Sequence, residues 1–216
     1  MSILDTIIQS PQLPQYIDRL QHVLDEERQR REQFFERMTE NDKAEFINGK
    51  MVMHSPVKLR HNEAVRNLLV LLSIHVQQRD LGLVGFEKLL ISLTRNDYEP
   101  DLCFFRVEHA IDFAPDQMRF PAPDFIVEVL SPSTEANDRG VKFEDYAAHG
   151  VAEYWLIDPV SETVEQYVLE SDVFILQIKA RTGTITSLAV AGFEIPIRAI
   201  FDAAEHAAAL QQLFAR

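Results

Sequence analysis

Apolar residues recur at helical spacing early in the chain. Across residues 15–37, Ile17, Leu20, Val23 and Leu24 gather on one side, and the charged run DEERQRREQFFERMTE follows them. This pattern predicts an amphipathic helix with a solvated second half. In AEFINGKMVMHSP, Asn48-Gly49 separates two short apolar-rich runs, the mark of a tight hairpin whose strands end at Ser55-Pro56. Over residues 57–79, steps of about 100° per residue place Val65, Leu68, Leu72 and Val76 in one narrow stripe. A helix packed on a sheet is expected there.

Beyond Gly82 and Gly85 the period changes. FEKLLISLTRNDYEPDLCFFRVE reads as two strand-like runs separated by turn-forming residues 94–97, and PAPDFIVEVLS as a strand apolar on both faces. A helix fits residues 137–149, with Gly150 as its C-terminal cap, and VAEYWLID follows as another buried strand. Strand, helix and strand make a right-handed crossover with the two strands parallel, whereas the other strands read as hairpins. Further short strands are expected at residues 163–168, 173–180 and 185–188, and a final helix at 202–214. The expected fold is therefore α+β or α/β, a mixed central β-sheet flanked by helices. Residues 1–40 form an N-terminal helical extension and 41–216 one domain.

Composition narrows the class. Of 216 residues 46% are hydrophobic and 25% charged, with 7 Gly and 10 Pro, enough for one sizeable core and incompatible with collagen-like, disordered or disulfide-scaffold chains. The single cysteine, Cys103, cannot form an internal disulfide, and MSILDTIIQS lacks the basic start and long apolar run of a secretory signal. A cytoplasmic protein is expected. The richest apolar stretch, residues 68–76, is broken by Ser73 and His75 and falls short of the roughly 18 to 20 residues that span a bilayer, so no membrane segment is expected. The net charge of −13 repels nucleic acid unless a basic patch or metal ions intervene, which argues against a simple DNA-binding module.

Candidate chemistry lies where polar residues interrupt apolar strands. Glu128 sits inside FIVEVL, where an ionised carboxylate needs a cation or a hydrogen-bonding partner. Asp101, preceded by Pro100, heads the neighbouring run PDLCFF, so two carboxylates from adjacent strands can converge on an oxygen-liganded divalent cation such as Mg²⁺. Asp124 shares a face with Glu128, but four strand residues separate the two by about 13 Å, too far for one metal. That separation also exceeds the roughly 5 to 9.5 Å of glycosidase carboxylate pairs. Ser131 and Ser133 stand in no nucleophile elbow, Cys103 reads as a buried small hydrophobe, and the seven histidines show no zinc spacing.

EPDLCFF and PAPDFIVEVLSPSTEANDRGVKFEDYAAHGVAEYWLIDP resemble the Uma-two family of restriction-endonuclease-like proteins, within the P-D-(D/E)-x-K nuclease superfamily. The similarity runs over about residues 43 to 201 and is most specific from Pro123 to Pro159. It implies a restriction-endonuclease-like core in which Pro100-Asp101 matches the P-D element and Glu128 the acidic position. Position 130 is Leu where the superfamily commonly has lysine, and the resemblance implies that Lys142 on the following helix supplies the ammonium. It further implies Mg²⁺, with Mn²⁺ as the alternate ion, held by Asp101, Glu128 and the backbone carbonyl of Val129. Asp101, Glu128 and Lys142 would be the catalytic set, with His61, Asp138 and Asp124 supporting it.

For several of these residues two readings stand. Lys142 lies four positions after Asp138 and could equally form an i,i+4 salt bridge on an exposed face. Helical projection turns His61 toward the sheet and Glu63 away from it, so His61 either faces the metal site or caps the start of a core helix. Asp138 is a supporting residue or the partner of Lys142, and Tyr146 is read as packing. At the level of function, a metal-dependent endonuclease acting on nucleic acid, DNA first, competes with a non-catalytic dimeric partner-binding protein that retains the nuclease fold. The N-terminal helix lies outside the resemblance and suits self-association, so a homodimer is expected.

Overall fold

The computed structural model describes residues 3–39 and 42–215, which divide into two compact units. The first contains the described residues up to His54 together with Arg95–Tyr98. Its helices are Ile3–Ile8 and Leu13–Arg37, and its strands Ala44–Ile47 and Lys50–Met53 form the hairpin that Asn48-Gly49 predicts. Both turn residues adopt positive φ, 48° and 77°, the conformation a two-residue hairpin turn of matching twist requires. The short strand Asp97–Tyr98 adds to the hairpin antiparallel, with Phe46 opposite Asp97.

Two carboxylates tie the long helix down within this unit. Arg31 grips the fully buried Asp97 with Nε at 2.6 Å and a second guanidinium nitrogen at 2.8 Å. Arg95 grips Glu27 in the same forked manner at 2.7 and 2.8 Å. Phe34 then packs against Phe46 with ring centroids 5.6 Å apart. The second half of the helix is thus anchored along one face, through Glu27, Arg31 and Phe34, while most of its other positions are exposed to water as expected. Forked pairing covers the charges of Glu27 and Arg31 on that face, and the remaining charged residues of that half of the helix are exposed.

The second unit contains Ser55–Thr94 and the described residues from Glu99 onward. Its six-stranded sheet runs Val173–Ala180, Thr163–Glu170, Glu153–Asp158, Phe125–Val129, Leu102–Arg106, Gly82–Phe86 from edge to edge. Phe125–Val129 and Glu153–Asp158 are parallel, whereas every other neighbouring pair is antiparallel, so the sheet is mixed. Phe125–Val129 is buried along its whole length, as a central strand covered on both faces must be. The helix Leu59–Gln78 lays its apolar stripe into the core: Leu68, Leu71 and Leu72 are fully buried beside Phe125, Val127 and Trp155. Its Asn67 amide closes the rear by donating to the Ile200 carbonyl at 3.0 Å.

Between the parallel strands the expected single helix is two, Glu135–Asp138 and Val141–Ala148. Gly140 sits at the break, where a Cβ would meet the Ala136 carbonyl oxygen at 2.7 Å. Gly150 follows the second helix at φ 77°, the left-handed residue that ends a helix. The expected terminal helix spans Ala203–Ala215, and an unexpected strand, Glu194–Pro196, pairs with Thr184–Thr186. Among the described residues no helix is long and apolar enough to cross a membrane.

Arg139, at the same break, is held by Glu165 through two bonds of 2.8 and 3.0 Å, and by Glu135 at 2.9 Å. Glu165 also accepts from Tyr167 at 2.7 Å and lies 2.9 Å from Lys179 Nζ. Hydrogen bonding from Arg139 dominates burial and, with Tyr167 and Lys179, lowers the Glu165 pKa from an ordinary 4.5 to about 2. A depressed folded-state pKa contributes stability that is complete above 4.5 and is lost as pH falls toward 2. Wild-type protein should therefore lose stability over that window more steeply than Glu165→Gln, in denaturation midpoints measured from pH 6 to pH 2. Parallel curves for the two proteins would refute the assignment.

Candidate active site

Glu128 projects from the central strand Phe125–Val129 and is 4% exposed. An isolated carboxylate at that depth would give up its charge, so what surrounds it decides its state. Its Oε1 accepts from Lys142 Nζ at 2.9 Å and from Tyr146 Oη at 3.2 Å. Lys142 and Tyr146 are one turn apart on Val141–Ala148, and both side chains are buried. Lys142 Nζ also lies 3.2 Å from Asp138 Oδ1, with both side chains at most 2% exposed. The i,i+4 pair is formed inside the protein and not on an exposed face. One ammonium sits between two buried carboxylates.

Asp101 approaches from the neighbouring strand. It precedes Leu102–Arg106, and its Oδ2 accepts from the Val129 amide at 2.8 Å. His61, in the first turn of Leu59–Gln78, places Nε2 3.3 Å from the same oxygen. Burial pushes the Asp101 carboxyl up, but the hydrogen bond and charge of His61, the Val129 amide and the charge of Lys142 together hold it below the ordinary aspartate value. The other ring nitrogen of His61, Nδ1, is buried with no hydrogen-bond partner among the described residues.

The structure thus brings Asp101, Glu128, Val129, Lys142, Asp138 and His61 together. Asp124 lies at the far end of the same strand, where its Oδ2 accepts from the Arg106 amide at 2.8 Å and lies 2.9 Å from His109 Nδ1. It joins that pair and not Glu128. Tyr146, read from the sequence as packing, reaches Glu128 through its hydroxyl. Helical spacing already put it one turn beyond Lys142, the signal that could have found it. Tyr154 supports the cluster from below by donating to the Asp138 carbonyl at 3.1 Å. Burial, with the charges of Glu128 and Asp138, pushes its phenol well above the ordinary range.

A second buried acid went unnoticed in the sequence. Glu153, at the start of the parallel strand Glu153–Asp158, is completely buried and receives five donors. Trp155 Nε1, Gln166 Nε2 and Ser187 Oγ are each at 2.6 Å, and the Leu188 and Ala189 amides are at 2.8 Å. It carries the same mark as Glu128, an acid within an apolar strand, but its partners are neutral. Glu153 fastens the 187–190 loop to the sheet.

Residues 31–198 match the Uma2 family, described as "Putative restriction endonuclease". An uncharacterized protein of Synechocystis sp. is 31% identical over 128 residues, which span 58% of this chain and 72% of that protein. The crystal structure of a "putative nuclease belonging to DUF820" from Anabaena variabilis superposes with a TM-score of 0.67 at 19% identity, covering 78% of this chain and 94% of that one. At that identity the likeness is one of fold, and it is a nuclease-like fold. With 168 of its 216 residues matched, the chain belongs to the Uma2 family.

Proposed function

We propose that this protein is a metal-dependent endonuclease that hydrolyses phosphodiester bonds, with DNA as its substrate. The observation that carries the reading is the buried Lys142 ammonium, held at 2.9 Å from Glu128 on the strand whose next amide binds Asp101. Two carboxylates and an ammonium on adjoining elements are the chemistry a phosphoryl-transfer site needs.

The donor set fits Mg²⁺. Among the described residues no group of three His, Cys, Asp or Glu side chains is gathered to hold a metal. Mg²⁺ commonly uses one or two protein carboxylates and completes its shell with waters and substrate phosphate, so Asp101 and Glu128 suffice. The Val129 amide faces Asp101, and its carbonyl leaves the same edge of an extended strand, which suits it as the third protein oxygen. When bound, Mg²⁺ or Mn²⁺ supplies a Lewis acid toward the phosphate oxygens. His61 and the Val129 amide orient Asp101, while Tyr146 and Lys142 orient Glu128. Lys142 brings positive charge to the pentavalent phosphate, and Asp138 keeps that ammonium in place.

Plasmid nicking in Mg²⁺ and in Mn²⁺ tests the reading. Wild-type protein should nick, and Glu128→Gln and Asp101→Asn should each lose at least about 100-fold in rate, the equivalent of a few kcal/mol of transition-state stabilisation. Calorimetric titration of Mg²⁺ should show binding that both variants weaken. The net charge of −13 favours a second reading, a nuclease-fold protein that binds a partner and cleaves nothing. No nicking by the wild type in either metal, or equal nicking by both variants, would leave that second reading standing.

A further inference from the structure

On the Leu13–Arg37 helix, positions 13, 17, 20, 24, 27, 31 and 34 alternate in steps of four and three and share one face. The last three of these are used inside the protein: Glu27 by Arg95, Arg31 by Asp97 and Phe34 by Phe46. The first four are Leu13, Ile17, Leu20 and Leu24, and the last three of those are 53%, 57% and 40% exposed. The stripe therefore continues in register for three turns beyond the residues the chain itself covers. This segment precedes the residues matched by the family, so the shared site does not account for it.

We propose that residues 13–24 form a dimerisation surface, covered by the same segment of a second copy of this chain. Charge identifies the occupant. A chain of net charge −13 repels its own copies over most of its surface, but Asp18 and Arg19 are the only formally charged residues between Leu13 and Leu24, and they cancel. The positions flanking the stripe, Tyr16, Gln21 and Val23, carry no charge. Asp18 and Arg19 themselves project from the opposite side of the helix, so the face that two copies would bury carries no charge to oppose their pairing. A charged partner helix would find nothing on this stripe to answer it.

Size points the same way. The preceding helix, Ile3–Ile8, exposes Ile3, Leu4 and Ile8 at 83%, 62% and 56%. With Tyr16 and Val23, each copy then offers eight large apolar side chains, on the scale of the roughly 1,000 Å² that a specific interface buries. An apolar surface of this extent facing water is unusual in a protein that remains a monomer.

Sedimentation equilibrium of the full chain decides the matter. Wild type should sediment as a dimer of the 24.8 kDa chain at micromolar concentration. Ile17→Glu with Leu20→Glu should raise the dimer Kd at least about 100-fold, since four carboxylates would then face one another in the interface. Ile17→Gln with Leu20→Gln, which keeps helix propensity and adds no charge, should weaken the dimer in the same direction. Leu188→Glu, at a 65% exposed position of the second unit, should leave it unchanged. Monomeric wild type up to the order of 100 μM, or a dimer indifferent to both double substitutions, would overturn the proposal.

Discussion

Lys142→Met should lower the unfolding free energy by about 3–5 kcal/mol, the range for breaking a buried ion pair from one side. The lysine lies between Glu128 and Asp138, both buried, and its removal leaves two carboxylates facing each other without a cation. Methionine fills most of the volume, so the loss reads charge rather than cavity. For a chain of this size, a drop in melting temperature of roughly 6–20 °C follows. Adding Glu128→Gln and Asp138→Asn to Lys142→Met should restore most of the stability. Urea denaturation of the single and triple variants at pH 7 provides the check. A loss below about 1 kcal/mol at pH 7 would mean that water reaches the acids, contrary to the geometry.

Glu153→Ala should be of similar severity for a different reason. Five donors converge on this carboxylate, and no cation is among them. Gln166 Nε2 keeps a second acceptor, the Thr186 carbonyl at 2.8 Å, but the Leu188 and Ala189 amides would have to find water. Two or three buried donors stranded at about 1–3 kcal/mol each put the loss at roughly 2–9 kcal/mol. Hydrogen exchange at Leu188 and Ala189 should accelerate more than exchange in the central strand, because the loop opens before the sheet does. Glu153→Gln should fall between wild type and alanine, since the amide keeps one acceptor but turns its own donors toward the others. Uniform acceleration across the sheet would show that Glu153 supports the whole unit and not the loop.

Much of the fold was legible before the structure. Asn48-Gly49 specifies its hairpin because both turn residues must take positive φ, a property of the dipeptide alone. The stripe through Val65, Leu68, Leu72 and Val76 predicts the buried helix face because side-chain direction follows from the local helical period. The run around Phe125–Val129 predicts a central strand, and Gly150 predicts the helix end before the parallel strand. Glu128 was legible as a candidate because an acid inside such a strand demands a partner. What pattern could not supply was the partner's identity or the break in the crossover helix at Gly140, which turns on a local crowding of backbone atoms.

By itself, then, the sequence determined most of the elements, the mixed sheet and the need of Glu128 for a partner, all of them consequences of short-range periodicity and of the cost of burying charge. Tertiary structure alone decided that Lys142 is buried between two acids, and that Tyr146 is a hydrogen-bond donor. It also decided that Asp124 belongs to His109 and Arg106, and that Glu153 binds amides 35 and 36 residues away. It decided further that one face of the N-terminal helix's solvated, charged half is anchored, and that its apolar half faces water. The physical reason is common to all of these. A hydrogen bond depends on which atoms loop closure brings within about 3 Å, and residue spacing along the chain carries no record of that approach.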